Sequence, residues 1–507
     1  MKKTFLLLTW LCLALGMQAT DYQDQLEVIV NGVSSKQTAT ISVNELGNGK
    51  YTLSLKNFVL ISGDTEMGVG NITLENIDGV TTDGKTVIRA TQNINITEGD
   101  RTDIGIWTGP LLGPIPVDLV AELSQGQLYT IIDIDMQASL GQIIKVIFGT
   151  GGYQIPNADF ELFHTVAETY VEPNAWHSFE SASGKLAALA GHHLEQSADV
   201  RPGTIGKSSV RLYSTSLFGI IANGTMTTGR MNADAMQATD TKNHAYIDMS
   251  LTDADANGDP FYARMESRPD SITVWVKFRQ GTANADHPYA TISAAITDGT
   301  YYQDPEDKVY TNVAGRASFN KIESKGAQWQ RLSVPFTYSG SVEPKAIMVT
   351  LSTNADPGQG SDGDELFVDD LHLVYNAQLT ALSINGTPID SFDKDTYEYS
   401  LTTQGAVSID DIMATANGHG AIIDKQVVSE GGVTKAIVTV TSGDLATKHA
   451  YTCILNNVPT ENIQTVGTGT HSYSRYYNLG GQLIDTPRNG RVYIERQSNG
   501  SVKKTVK

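Results

Sequence analysis

Apolar side chains recur at every second position over long stretches of this sequence, a spacing that commits it to strands with one buried face. Leu26, Val28 and Val30 alternate with Glu27, Ile29 and Asn31. Tyr51, Leu53 and Leu55 alternate with Thr52, Ser54 and Lys56, and Ile132, Ile134 and Met136 with Asp133 and Asp135. The pairs Asn48-Gly49, Asp78-Gly79 and Asp83-Gly84 punctuate these runs with residues that favour tight hairpins. Consecutive hairpins with hardly a helical stretch between them predict an antiparallel meander over residues 20–153 that closes into a barrel. Such a barrel either holds an apolar ligand in its mouth or is filled by its own side chains.

A chain of 507 residues has room for several domains, each with its own core, and two cysteines exclude a disulfide scaffold. The formal charge of -20 repels a phosphate backbone, so no nucleic-acid partner is expected. Lys2 and Lys3, the apolar stretch from Phe5 to Leu15 and the small Ala19 read as a secretory signal over residues 1–19, which predicts an exported protein: cell surface, extracellular or periplasmic. Leu11 before Cys12 disfavours a lipid anchor, and no later stretch is long and apolar enough to predict a transmembrane span. Cys453, inside Tyr451-Thr-Cys-Ile-Leu455, reads as a small buried hydrophobe.

Four strings in the first region, Glu27-Val-Ile-Val-Asn-Gly32, Tyr51-Thr-Leu-Ser-Leu-Lys-Asn-Phe58, Gly68-Val-Gly-Asn-Ile-Thr-Leu74 and Ile132-Asp-Ile-Asp-Met136, make it resemble the calycin-like (lipocalin-like) domains of secreted Bacteroidetes proteins. Residues 154–376 open with Ile155-Pro-Asn-Ala-Asp-Phe-Glu161 and close with Leu366-Phe-Val-Asp-Asp-Leu-His-Leu-Val-Tyr375. Short β-rich runs between long polar loops predict a two-sheet jelly roll there. The order of the pieces resembles the carbohydrate metabolism domain of Bacteroidetes proteins, akin to jelly-roll carbohydrate-binding modules. Residues 377–458, with Leu379-Thr-Ala-Leu-Ser-Ile-Asn-Gly386 and Ala436-Ile-Val-Thr-Val-Thr-Ser442, resemble a cadherin-like, immunoglobulin-type β-sandwich, a module that usually acts as a spacer. In residues 459–507 a linker at 467–470 leads into a tail with seven basic and two acidic residues from Arg475 on. That tail resembles the sorting or anchoring tails of secreted Bacteroidetes proteins, which implies cell-surface attachment; a β-hairpin cap is the alternative. The expected fold is thus all-β, with barrel, jelly roll and sandwich in tandem.

In Ile272-Thr-Val-Trp-Val-Lys-Phe-Arg279 the aliphatic residues and Phe278 share one face, and Thr273, Trp275, Lys277 and Arg279 the other. An indole beside two cations suits a sugar platform, the ring covering the C–H face of a pyranose and the cations its polar rim; packing under a loop is the alternative. Trp176, Tyr301 and Tyr302 lie in loop-like segments and are candidate additional contacts, whereas Trp329 reads as core. The resemblance to jelly rolls also implies that first and last strands run side by side, so Glu161, Asp369 and Asp370 would meet there. Oxygen ligands so gathered suit a structural Ca²⁺, and solvated carboxylates are the alternative.

Catalytic motifs fail on spacing. His192-His193 are adjacent, and no His-Glu-x-x-His pattern exists. Gly206-Lys207-Ser208 imitates the end of a phosphate loop, but Arg201 stands where the first glycine is needed. Asp253, Asp255, Asn257 and Gly258 match half of an EF-hand loop whose twelfth position is Arg264 instead of Glu. A second acidic loop spans Asp356 to Glu365, and no carboxylate pair for glycoside hydrolysis stands out. The expected function is therefore non-catalytic binding of poly- or oligosaccharide by the central jelly roll. A glycoside hydrolase with an unidentified carboxylate pair and a structural surface or adhesion protein are the rival readings.

Overall fold

A computed structural model describes residues 19–458, except 63, 64, 83, 125, 168 and 218, together with 474–477, 482–484, 491–497 and 502–506. The expected leader with Cys12, the 467–470 linker and Asp83 lie outside the described residues. The chain divides into two compact units, one ending at Gly149 and the other starting at Thr150.

In the first unit, eight strands from Thr20–Val30 to Gln142–Phe148 pair antiparallel in chain order, and the first pairs with the last to close a barrel. Alternate positions feed one apolar cluster. Leu26, Val28, Tyr51 and Leu53 are buried in it with Ile88, Leu119 and Phe148, while Val30, Leu55, Ile132 and Ile134 pack half-buried against it. Asn48-Gly49 is the expected hairpin turn, with φ of +55° and +71°.

Asp78-Gly79 is not a turn, contrary to expectation. The strand Thr65–Thr82 runs straight through it, pairing Gly79 with Ile88 and Asp78 with Lys50 and Arg89. The glycine serves packing instead: a Cβ at Gly79 would lie 2.3 Å from the Tyr51 ring, which covers the bare backbone.

The second unit begins where residues 152–154 bind into it. Glu266 N–H donates to Gly152 O, the Tyr375 hydroxyl donates to Tyr153 O, and the Gln154 amide bonds both backbone groups of Leu373. This places the break four residues before the expected boundary at 153/154, because Tyr153 and its neighbours serve the later core.

Two antiparallel sheets dominate residues 150–376. The first runs in the order Leu194–Ser197, Ser209–Tyr213, Glu365–Val374, Ser271–Arg279, Gln330–Pro335. The second runs Thr225–Thr227, Ala346–Ser352, Ala290–Thr297, Val313–Ile322, Thr337–Tyr338. Ile272, Val274, Val276 and Phe278 of the first sheet are fully buried, as are Ile292, Ile296, Ile347, Val349 and Leu351 of the second. A small three-stranded sheet, Arg230–Asn232, His244–Ile247 and Tyr302–Asp304, covers part of the second sheet's outer face through Met231, Ile247, Tyr302, Ala295 and Met348.

From Leu379, a three-stranded and a four-stranded sheet enclose a separate core around Leu382, Ile412, Val438 and Tyr451. Cys453 is buried within it, and burial pushes its thiol up to about 11. The junction to this sandwich is polar. The buried Asp270 carboxylate accepts N–H bonds from Asn376 (2.7 Å) and His419 (2.8 Å), and the His419 ring lies against the same oxygen at 2.6 Å. The described tail strands Ser474–Tyr477, Leu483–Ile484, Val492–Gln497 and Val502–Val506 form a four-stranded sheet.

Gly79→Ala is expected to destabilise the barrel by about 1–3 kcal/mol, since the added methyl forces the Tyr51 ring out of place. The double variant with Tyr51→Ala should lose less than the two single losses added together, read from denaturant melts. Strict additivity would show that the ring does not make this contact.

Candidate functional site

On the strand Ser271–Arg279, Trp275 does lie on the face opposite Ile272 and Phe278 and is half-buried. That face is not an open platform. The Arg201 guanidinium sits over the indole, 5.6 Å from its centre. Lys277 is buried, ion-paired with Asp199 and held against Phe367 (4.1 Å) and Trp329 (5.3 Å). Arg279 pairs with Glu365, which also accepts from Arg211. The two cations assigned to a sugar rim are thus already neutralised by carboxylates of this chain. Trp329 is not core, contrary to expectation: it is half-buried on the same face, and its indole N–H donates to Asp199 at 3.2 Å.

The loop aromatics separate. Trp176 is wholly buried, with its indole N–H on Pro156 O (3.2 Å) and its ring against Phe160, so as a ligand contact it is corrected to an anchor. Tyr302, on the inner face of the small sheet, is likewise buried, with its hydroxyl on Glu306 (3.2 Å). Tyr301 is exposed, stacks on Tyr246 and donates its hydroxyl proton to Gln303 (2.8 Å).

The proposed calcium ligands do not converge. Glu161 accepts the backbone N–H groups of Lys207 (3.0 Å) and Ser208 (3.1 Å), so the loop resembling a phosphate cradle holds this carboxylate instead. A Cβ at Gly206 would lie 2.3 Å from Glu161 Oε1, so a larger residue there would push this carboxylate aside. Asp369 accepts from Arg201 N–H (2.8 Å), and Asp370 pairs with the Arg201 side chain. First and last segments do run together, Leu371 N–H donating to Ala158 O, but Glu161 turns to the Lys207 and Ser208 amides while Asp369 and Asp370 both turn to Arg201. Among the described residues, the side chains gathered within metal-ligating reach are instead His164, Glu172, His177, Asp255 and Asp259.

A cleft of about 470 Å³ lies over the second sheet. Its floor follows from alternation. While Ile292 and Ile296 point into the core, Thr291 and Ser293 point out, and pairing aligns them with Ser352 and Thr350 on one side. Ser293 also faces Ser318, and the Thr291 hydroxyl reaches Asn320 Oδ1 at 2.7 Å. At the far edge Thr225 donates to Ser352 (3.0 Å). Short hydroxyl and amide side chains therefore pave four adjacent strands.

Leu189, Ile220 and Met236 rim this floor and are exposed. Asp304 is the one carboxylate among the lining residues. It accepts from the Ser293 hydroxyl (2.7 Å), and burial holds its carboxyl above the usual range. Neither Trp275 nor its cations line this cleft. The floor residues were missed because polar alternation on one strand, such as Thr291-Ile-Ser293, reads as an ordinary solvated face until the strand order is known.

Residues 19–151 match the family of calycin-like beta-barrel domains, and the N-terminal eight-stranded unit is a calycin-like barrel. No curated protein matches the chain. Among solved structures, the chain is similar to one described as a bifunctional GH43-CE of Bacteroides eggerthii, with 10% identity and a TM-score of 0.17. The match covers 74% of this chain and 55% of that one; a likeness this low transfers neither fold nor activity.

Burial, reinforced by neighbouring Asp370, pushes Asp369 up to about 7, partly offset by the Arg201 N–H bond. Because the folded value lies above the unfolded one, the stability this group contributes is full below about pH 4 and is lost as pH rises through 7. Asp369→Asn should therefore gain on the wild type between pH 4 and 8, by about 1–2 kcal/mol. Thermal melts at the two pH values check this; a difference independent of pH would count against it.

Proposed function

We propose that the protein is an exported, non-catalytic carbohydrate-binding protein whose central domain takes a glycan chain in the cleft over the second sheet. The observation that carries this reading is the hydroxyl-paved floor bordered by aliphatic side chains. A glycan presents hydroxyl groups along its edges and C–H patches on its ring faces. The floor supplies short donors and acceptors to the former, and Leu189, Ile220 and Met236 cover the latter. Asp304, the carboxylate in the lining, is already held by the Ser293 hydroxyl, which suits a neutral ligand and modest affinity per site.

Hydrolysis of a glycosidic bond uses two carboxylates about 5 to 10 Å apart, and Asp304 alone lines the cleft. This favours binding over turnover. The calycin-like barrel and the sandwich then act as flanking modules, and the basic tail as a means of cell-surface attachment.

The test is a glycan array followed by calorimetry on the full chain. Ser293→Tyr, which fills the cleft from its floor, should weaken binding at least about tenfold. Trp275→Ala should stay within about twofold of the wild type. Binding that survives Ser293→Tyr but fails in Trp275→Ala would move the site to the other sheet, and reducing-end release from a bound glycan would replace binding by hydrolysis.

A further inference from the structure

Four buried side-chain atoms in the second unit lack hydrogen-bond partners, His164 Nε2, Glu172 Oε2, His177 Nδ1 and Asp255 Oδ2, and their residues form two sets within metal-ligating reach that share Asp255: Glu172, His177 and Asp255, and His164, Asp255 and Asp259. The His177 and Asp255 side chains are wholly buried, and that of His164 is 9% exposed. An orphaned polar atom in such a place costs about 1–3 kcal/mol, more when charged, so the coincidence of four calls for a common partner.

The other ends of these groups are fixed, and the fixing aims the free atoms inward. His177 Nε2 lies 3.3 Å from Pro260 O, a carbonyl that can only accept, so this nitrogen carries the proton and Nδ1 presents a lone pair. His164 Nδ1 lies 3.2 Å from Asn174 Oδ1, which orients Nε2 in the same sense. Glu172 Oε1 accepts from the Ser178 and Ser181 hydroxyls, at 2.6 and 3.0 Å, and from Ser178 N–H, leaving Oε2 free. Asp255 Oδ1 accepts from Asn257 N–H (2.9 Å) and Asp259 N–H (2.8 Å), leaving Oδ2 free. Metal-ligating histidines typically have this second partner on the far nitrogen.

The spacing fits an ion. Each imidazole nitrogen stands 3.4 to 3.5 Å from Asp255 Oδ2. Ligands on a tetrahedron about 2.0–2.1 Å from a metal are separated by roughly 3.4 Å. A neutral imidazole lone pair beside a carboxylate lone pair is repulsive without a cation between them. Asp259 lies within reach of the His164 and Asp255 atoms as a further carboxylate.

We propose that Glu172, His177 and Asp255, joined by His164 across the shared Asp255 carboxylate, form a structural site for a first-row divalent transition ion, Zn²⁺ by its donor set. Two imidazoles with carboxylates suit Zn²⁺, whereas Ca²⁺ takes oxygen alone. The ion ties the hairpin Phe163–Ala167 and Tyr170–Pro173, with the segment after it, to the distant 253–260 loop. Half of the EF-hand pattern is thus used, through Asp255, with partners that no calcium loop would call on.

The experiment uses the full chain, stripped with a strong chelator and then titrated with Zn²⁺, Co²⁺ or Ca²⁺. One Zn²⁺ per chain by elemental analysis, a rise in Tm on adding Zn²⁺ but not Ca²⁺, and Co²⁺ d–d bands of a low-coordinate N/O site are expected. Asp255→Asn keeps the shape and the turn-capping Oδ1 while removing one charge. In chelator it should melt at or above the wild type, and its Zn²⁺ affinity should fall at least about 100-fold. His164→Ala should also lose the Co²⁺ bands. A wild type that takes up no ion, a stoichiometry unchanged in both variants, or stabilisation by Ca²⁺ alone would overturn the site; the wild-type titrations decide even if a variant fails to fold.

Discussion

The register of Ala290–Thr297 within its sheet is the constraint on which the second unit's core and its cleft both rest. The strand is paired on both sides, to Ala346–Ser352 and to Val313–Ile322, so its side chains have two faces and no edge. Ile292 and Ile296 go to the core, Thr291 and Ser293 to the cleft, and Ala295 under the small sheet. A slip of one residue would bury two hydroxyls and expose two isoleucines. Core and binding floor are therefore one decision, and the apolar side enforces the polar side: burying an isoleucine stabilises by about 1.5–3 kcal/mol, whereas the hydroxyls only need water or a ligand.

That logic also explains what could be read from the sequence. Period-two spacing was enough for an all-β chain and for a closed N-terminal meander, because a barrel's inside and outside are set strand by strand. It was enough to put Trp275 opposite Ile272. It could not say what covers that face, since Asp199, Arg201 and Glu365 come from distant strands and loops to meet Trp275, Lys277 and Arg279. The same limit applies to Trp329, whose place beside Lys277 depends on pairing, and to Asp78-Gly79, where an aromatic partner across the strand overrode a turn-forming pair.

The cleft and the buried histidine–carboxylate cluster were illegible for a different reason. Each is assembled from single residues on elements far apart in the chain. His164 and Glu172 are cross-strand partners within one hairpin and His177 follows it, and their spacing matches no helical or zinc-finger pattern; Asp255 joins them only because the 253–260 loop folds back over it. Sequence motifs are local, and a site stapling remote segments leaves no local pattern beyond an unusual density of ligand-type residues.

How the molecule treats its other buried carboxylates sharpens this point. Asp270 is satisfied by two backbone N–H groups at the sandwich junction, and Asp364 by Gly281 N–H, Ser361 N–H and the Ser361 hydroxyl. Glu161 is met by two amides, and Glu365 by two arginines. Among the described residues, the remaining orphaned buried side-chain atoms outside these ion pairs are the neutral Asn44 Oδ1, Thr130 Oγ1 and Asn223 Oδ1. A fold that finds hydrogen bonds for its carboxylates elsewhere, yet leaves two carboxylate oxygens and two imidazole nitrogens facing one another, has set aside the lone pairs that a cation requires. The cost of burying these lone pairs is then the cost of an incomplete site, offset when the ion binds, while Glu172 Oε1 and Asp255 Oδ1 keep their own hydrogen bonds.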